Sequence, residues 1–350
     1  MAIEYPLILP ITPGLRSAEF HARQISGMTA SPFTGQQQVY EWPGEWWEVD
    51  CSLPPMARAA AEEWLATELA CRGAAGTFLL GDPGGKSPRG SGAGYPAVDG
   101  SSQLGKTLAI LGWNPSASGV LKKGDCLQIA KNYEPCPRAF DNAHWEKAQC
   151  TITATNIVAP NGVAEAERAT PTSGATNAYL DAVDGSYPSR YKGLQWNFSV
   201  WLKAASGTPT IRVGLYTSSG GGFTINAVLS TSWQRLIVSG TFPITATTLK
   251  LVVGDGSTWP EADGPIDMWG AAVYCPTLDA RLHKVLTEAS SDANGKASLD
   301  LWPRLRESPP DFSALILTDA KGTFRLREAP GWTLDEMLHY GISFRAVEAF

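Results

Sequence analysis

The chain has 350 residues, too many for one ordinary core, which sets an expectation of two or three domains. Only 18% of the residues are charged, against 35 glycines and 25 prolines; this suits short strands joined by tight turns and excludes long solvated helices. With a net charge of -6 and no basic run beyond Lys122-Lys123, nucleic acid is excluded as a principal partner.

The amino terminus, MAIEYPLILPITPGL, lacks a basic region and is interrupted by Pro6, Pro10 and Pro13. It does not read as a signal peptide, and no later run is long enough to insert in a membrane. The opening is Pro-rich and extended until QQQVYEWPGEWWEVDCSL, where alternating runs flank Pro43-Gly44 and predict a hairpin over Gln36–Leu53. Pro54-Pro55 ends it and opens a helix, MARAAAEEWLATELACRG. Its apolar face carries Met56, Ala60, Trp64, Ala57, Ala61, Leu65 and Leu69, with Gly73 as the stop. A strand follows at GTFLLGD, then a Gly-, Ser- and Pro-rich loop from Pro83 to Gln103, then strands at LAILGW and GDCLQIA.

From Asn132 to Leu278 the texture changes to successive short strands: AQCTITAT, AEAERAT, NAYLDAV, LQWNFSVWLKAA, TIRVGLYT, TSWQRLIVSGTF, TLKLVVGD and IDMWGAAVY. That spacing signals a sandwich or jelly roll. Afterwards RLHKVLTEASSDANGKASLDLWPRLR resumes the earlier pattern, with a turn at Ser291–Gly295. ALILTD, GTFRLRE, a Gly331-Trp332 turn and ISFRAVEAF complete the chain. The fold expected is therefore mainly β: a split β-barrel, residues 1–131 plus 280–350, with one flanking helix, interrupted at a hairpin tip by an inserted jelly-roll sandwich, residues 132–279. Loop tips accept such insertions because no buried pairing is lost. Cys136-Pro137 and Cys275-Pro276 mark the two mouths of the insert, and the six cysteines, without a CxxC pair, read as free thiols, with these two close together.

GDPGGKS is one residue short of a phosphate loop, and Pro83 removes a donor, so it reads as a loop. His21, His144, His283 and His339 have no ligand spacing, and Asp292-Ala293-Asn294-Gly295 lacks the later carboxylates of a calcium loop. No catalytic residue, cofactor or metal is expected, although Asp255, Asp263 and Asp267 keep open a carboxylate pair of glycosidase type. In LQWNFSVWLKA, alternation assigns Trp196, Phe198, Val200 and Leu202 to the core and turns Trp201 and Lys203 outward. In TIRVGLYT it turns Arg212 and Tyr216 outward. An aromatic platform with hydrogen-bonding neighbours suits stacking on a pyranose ring. Trp201, Lys203, Arg212 and Tyr216, with Trp259 on a rim loop, are thus the candidate carbohydrate-binding residues. The alternative is that Trp201 and Tyr216 are covered by a loop or pack on the surrounding domain.

GDCLQIA, RLHKVLTEASSDANGKASLDLWPRLRESPP and FRLREAPGWTLDEMLHYGISFRAVEAF, with PGEWWEV and the helix, resemble the distal tail protein family of long-tailed bacteriophages. WNFSVWLKA, SWQRLIVSGTFPITATTLKLVVGDG and IDMWGAAVY are similar to carbohydrate-binding sandwich modules of phage tail proteins. The resemblance implies a non-enzymatic virion protein of the tail tip or baseplate, assembled in the bacterial host cytoplasm. It implies a homo-oligomeric ring, usually six copies, joining the tail tube protein to the hub. The insert would decorate the ring and touch host-surface polysaccharide during attachment. A tail-associated glycan hydrolase and a purely architectural insert are the rival readings.

Overall fold

The computed structural model describes residues 3–184, 193–217, 221–254 and 259–350, apart from the side chains of Thr155, Val183 and Asp184. Three β units are nested in the chain. The outermost is a seven-stranded sheet in the order Leu7–Ile8, Phe78–Leu80, Gly322–Leu326, Tyr340–Glu348, Gln37–Ser52, Ser17–Ala30, with Trp332–Leu334 paired to Tyr340–Glu348. Within it, Gly94–Val98, Gly105–Trp113, Cys126–Ala130, Arg281–Val285, Ala297–Leu305 and Ala314–Ile316 close a barrel. Innermost are two five-stranded sheets, packed face to face over a core that includes Trp145, Trp196, Phe198 and Leu215.

The strands on either side of the sandwich are direct neighbours: Ile129 pairs with Arg281 and Cys126 with Lys284. Asn132 pins the crossing. Its Oδ1 accepts the Glu134 and Val273 N–H groups at 3.0 and 2.9 Å, and its Nδ2 donates to the Asp311 carbonyl at 2.9 Å. A side chain that makes these three hydrogen bonds at the entry point fixes how the sandwich leaves the barrel. All six cysteines are free, and Cys136 and Cys275 belong to the same apolar cluster.

Several local expectations change. The Pro43-Gly44 hairpin is instead one strand, Gln37–Ser52, running beside Ser17–Ala30, a strand that lies in the segment read as merely extended. Gln24 pairs with Glu45 and Ser26 with Glu41, so Trp42, Pro43 and Gly44 bulge against Ile25 alone, where proline's missing N–H costs no ladder bond. The helix Arg58–Ala70 buries Ala61, Trp64, Leu65 and Glu68, while Leu69 is exposed. It rests on the seven-stranded sheet, with Trp64 tilted 6.3 Å from Phe344, and not on the barrel. The loop after Pro83 contains the strand Gly94–Val98, and Trp332 begins a strand whose turn lies at Asp335–His339. The expected turn at Asp292–Gly295 is present: the Asp292 carboxylate accepts the N–H groups of Asn294 and Lys296, each at 2.8 Å.

In the sandwich, AQCTITAT divides at Gln149, whose φ of 54° sends Trp145–Ala148 and Cys150–Val158 into different sheets. Gly222–Val228 is a strand that the glycine run before it concealed.

Candidate functional site

The two faces of the sandwich have different fates. One sheet runs Gln234–Thr241, Gln195–Ala204, Ile266–Tyr274, Ala164–Pro171, Cys150–Val158. Its inner side takes Trp196, Phe198, Val200 and Leu202 into the core, as alternation predicts. Its outer side is docked on the barrel. Ala166, Trp269 and Ala272 cluster with Ala97, Leu111 and Phe312, and Trp201 and Trp233 pack on their edge. Trp269 meets Phe312 edge-on at 4.7 Å. Arg138 closes the seam. It bonds Asp311 through Nε at 2.6 Å and Nη2 at 3.0 Å, Asp99 at 3.0 Å, and Glu165, while lying over the Phe312 ring at 4.9 Å. Burial disfavours the Arg138 charge, but Asp311, Glu165 and Asp99 together outweigh it and hold the guanidinium above its ordinary range.

Trp201 therefore belongs to a packing surface. It is half-buried, 6.5 Å from Trp269, and its indole N–H has no partner among the described residues. Lys203 lies 3.6 Å from Asp267 and 4.9 Å from the Trp233 ring centroid. Trp259 is not on a rim: it is fully buried in the sandwich core, and its Nε1 donates to the Gly264 carbonyl at 3.0 Å. Alternation identified the outward direction at Trp201 correctly but carries no information about what stands opposite.

The other sheet runs Gly222–Val228, Thr210–Thr217, Leu249–Gly254, Tyr179–Asp184, Trp145–Ala148, with its outer face on the side away from the barrel. Leu180, Ile211, Val213, Leu215, Leu249, Leu251 and Val253 point into the core. Their alternates Tyr179, Asp181, Arg212, Gly214, Tyr216, Lys250 and Val252 therefore share the outer face. Arg212 and Tyr216, two of the residues expected from sequence, meet here, on the opposite side of the sandwich from Trp201 and Lys203. Tyr216 lies along the sheet: a Cβ on Gly214 or Gly222 would stand 2.6 Å from its ring, so only glycine leaves room. Arg212 donates through Nε to Asn226 Oδ1 at 2.8 Å. The registers Tyr179–Gly254 and Val213–Val253 place Tyr179 two strands and four residues from Tyr216. At ordinary strand spacing and rise the two side chains start roughly 16 Å apart across the face.

Between them lies a charged pair that sequence reasoning did not single out. Lys250 meets the Asp181 carboxylate and stands 5.8 Å from the Tyr179 ring centroid. Asp181 is fully buried, and Glu146 faces it across the strand pair. Burial raises the Asp181 pKa, Lys250 pulls it back, and Glu146 pushes it up further. The signal was present in the sequence: Asp181 and Lys250 are polar residues flanked by apolar ones within NAYLDAV and TLKLVVGD.

Two of the three carboxylates considered for glycosidase chemistry lie among the described residues. Asp267 is 1% exposed and held by Arg168 at 2.7 Å, and Asp263 ends a short 3-10 turn. Asp255 lies outside the described residues. Among the described residues no group of His, Cys, Asp and Glu side chains is placed to hold a metal ion, and no helix is long and apolar enough to cross a membrane.

No family model and no curated protein matches the chain. Solved structures do show likeness. The enzymatically active domain of bacteriophage CBA120 tailspike protein 4 has a TM-score of 0.33 at 13% identity, over 41% of this chain and 21% of that one. The Clostridium thermocellum endo-1,4-β-D-xylanase 10B CBM22-1–GH10 modules, complexed with xylohexaose, score 0.31 at 18% identity, over 42% and 28%. TmCBM61 in complex with β-1,4-galactotriose scores 0.31 at 9% identity, over 41% and 99%. The chain thus spans less than a third of the first two, and scores this low identify neither ligand nor partner.

Proposed function

We propose that the chain is a structural, non-enzymatic protein of a phage tail tip whose inserted sandwich holds host-surface saccharide on its open sheet. The observation that carries the binding half is the face itself. Tyr216, lying against Gly214, and Tyr179 stand on either side of a floor of Val252 and Gly254, with Lys250, Arg212 and Asn226 beside them as hydrogen-bonding groups. Sugars offer an apolar ring face and a rim of hydroxyls, and this arrangement answers both. Titrating the full chain with a panel of soluble bacterial polysaccharides tests it. Tyr216→Ala and Tyr179→Ala should each weaken binding at least tenfold and Trp201→Ala should leave it unchanged. Binding lost in Trp201→Ala but kept in both tyrosine variants would move the site to the docked sheet.

The tail-tip half rests on the resemblance and on a ribbon that suits subunit contact. The paired strands beyond Gln24 and Glu45 expose Met28, Phe33, Val39, Tyr40 and Trp42, an apolar load that water alone covers poorly. We assign this ribbon to ring contacts between copies, the ring seating between tail tube and hub in the virion. Light scattering should give a ring mass for the full chain and a single-chain mass once residues 25–42 are replaced by a short turn; a monomer from the intact chain overturns the assignment. A purely architectural insert is the second reading, favoured by the packing of Trp201 toward the barrel.

A further inference from the structure

A cleft of about 560 Å³ opens where the barrel, the seven-stranded sheet and the two connections to the sandwich meet. Its charges do not cancel. Lys131 faces Asp279 at 4.0 Å, and Arg304 is consumed by Glu45 at 3.1 Å. His283 is buried and donates through Nδ1 to the Pro303 carbonyl at 2.8 Å; burial outweighs that bond and lowers its pKa to about 4, so the ring is neutral. Glu348 is also buried; its carboxylate accepts the Trp47 backbone N–H at 3.2 Å and attracts Arg281 and Arg306 without pairing with either, and Glu307 is the other acid of the lining, so the cationic side chains still outnumber the acids.

Arg281, Arg306 and Arg325 are left. Among the described residues none of the three makes an ion pair with a carboxylate, although Arg325 reaches the Ala74 carbonyl at 3.4 Å. Arg306 lies over the Phe350 ring, 3.4 Å from its centroid, and Arg281 approaches the same ring at 5.6 Å. Two guanidiniums on one ring repel each other, and the ring's quadrupole compensates only partly. An anion between them turns that repulsion into attraction, and guanidinium forks match the two oxygens of a carboxylate or phosphate edge.

We propose that this cleft is an oxyanion-binding site in which Arg281 and Arg306, held side by side by Phe350, grip a carboxylate or phosphate group, with Arg325 at the rim. The site lies apart from the open sheet and stands whether or not that sheet binds sugar. Its position is distinctive because Lys131, Asp279 and Ala280, the chain on either side of the sandwich, line the same cleft. A bound anion would therefore touch both connections to the sandwich as well as the barrel.

Calorimetric titration of the full chain at low ionic strength, with pyrophosphate and citrate as probes, tests the proposal. Saturable binding is expected, weakened at least tenfold in Arg281→Gln and in Arg306→Gln and unchanged in Arg58→Gln on the exposed side of the helix. Arg306 is exposed, so its substitution leaves the fold intact, which far-UV circular dichroism checks. Arg306→Lys keeps the charge but loses the fork and should bind more weakly than wild type. Preference for pyrophosphate identifies a phosphate-bearing ligand and preference for citrate a carboxylate-bearing one. No saturable binding of either probe, or equal binding by wild type and both glutamine variants, overturns the site.

Discussion

Glu68 follows Trp64 by one turn on the buried stripe of the helix and is only 2% exposed. Neither its carboxyl oxygens nor the Trp64 indole N–H has a hydrogen-bond partner among the described residues. Burial pushes its pKa up from 4.5 to about 7. Between those values the folded chain holds a proton that the unfolded chain has released. Stability therefore falls as pH rises through that window, and the deficit is complete above about 7. At about 1.4 kcal/mol per pKa unit the deficit is on the order of 3 kcal/mol. Glu68→Gln should thus stabilise the protein by about 2–3 kcal/mol at pH 8 and change little at pH 4, read from urea unfolding at both pH values. Equal effects at the two would refute the assignment. Glu68 also shows where a helical pattern misleads. Sequence placed Leu69 on the apolar face and left Glu68 off it, because periodicity ranks residues by type and the sheet selects a line of contact that includes the polar one. Trp259 failed in the opposite way, since a glycine-rich loop promised exposure and the indole closes the sandwich core instead.

Strands were read more faithfully than their connections. Alternation in Gln195–Ala204 and Thr210–Thr217 gave the correct inward sets, but it could not say that the two outward faces lie on opposite sides of a sandwich. Pro43-Gly44 looked like a turn because a bulge and a hairpin use the same residues; the partner strand, many residues earlier, decides between them. The seam between sandwich and barrel was equally hidden, since Arg138 meets Asp99, Glu165 and Asp311 only in three dimensions. That seam makes a firm prediction. Arg138→Met would leave three carboxylates facing one another and should cost about 2–4 kcal/mol, somewhat below a fully buried pair because the guanidinium is a quarter exposed. Adding Asp311→Asn to Arg138→Met should recover part of the loss at pH 7, and a double variant no more stable than the single one would mean that the acids are not the source.

The three units follow one another as nested enclosures: sheet, barrel and sandwich going in, then barrel and sheet coming out. Each outer unit is completed only after the inner one has been passed, and Ile129 opposite Arg281 is the contact that closes the barrel over the gap. The texture change at Asn132 and back at Leu278 led to the expectation of one insert in one split barrel, not of a sheet enclosing a barrel. That the sandwich leans on the barrel was open only as the alternative reading of Trp201, and that contact alters what excision should do. Removing residues 132–278 and joining the ends with a short turn preserves every barrel pairing, so a cooperative unfolding transition should survive. The cut also exposes Ala97, Leu111 and Phe312 and strands Asp99 and Asp311 without Arg138. The shortened chain should therefore be less soluble than the parent, through a bare apolar patch in place of a buried one. Phe312→Ser with Asp311→Asn should restore solubility without changing the transition midpoint by more than a few degrees. Loss of cooperative unfolding in both the shortened chain and its repaired form would show that the sandwich is part of the barrel's own stability and not a module carried on it.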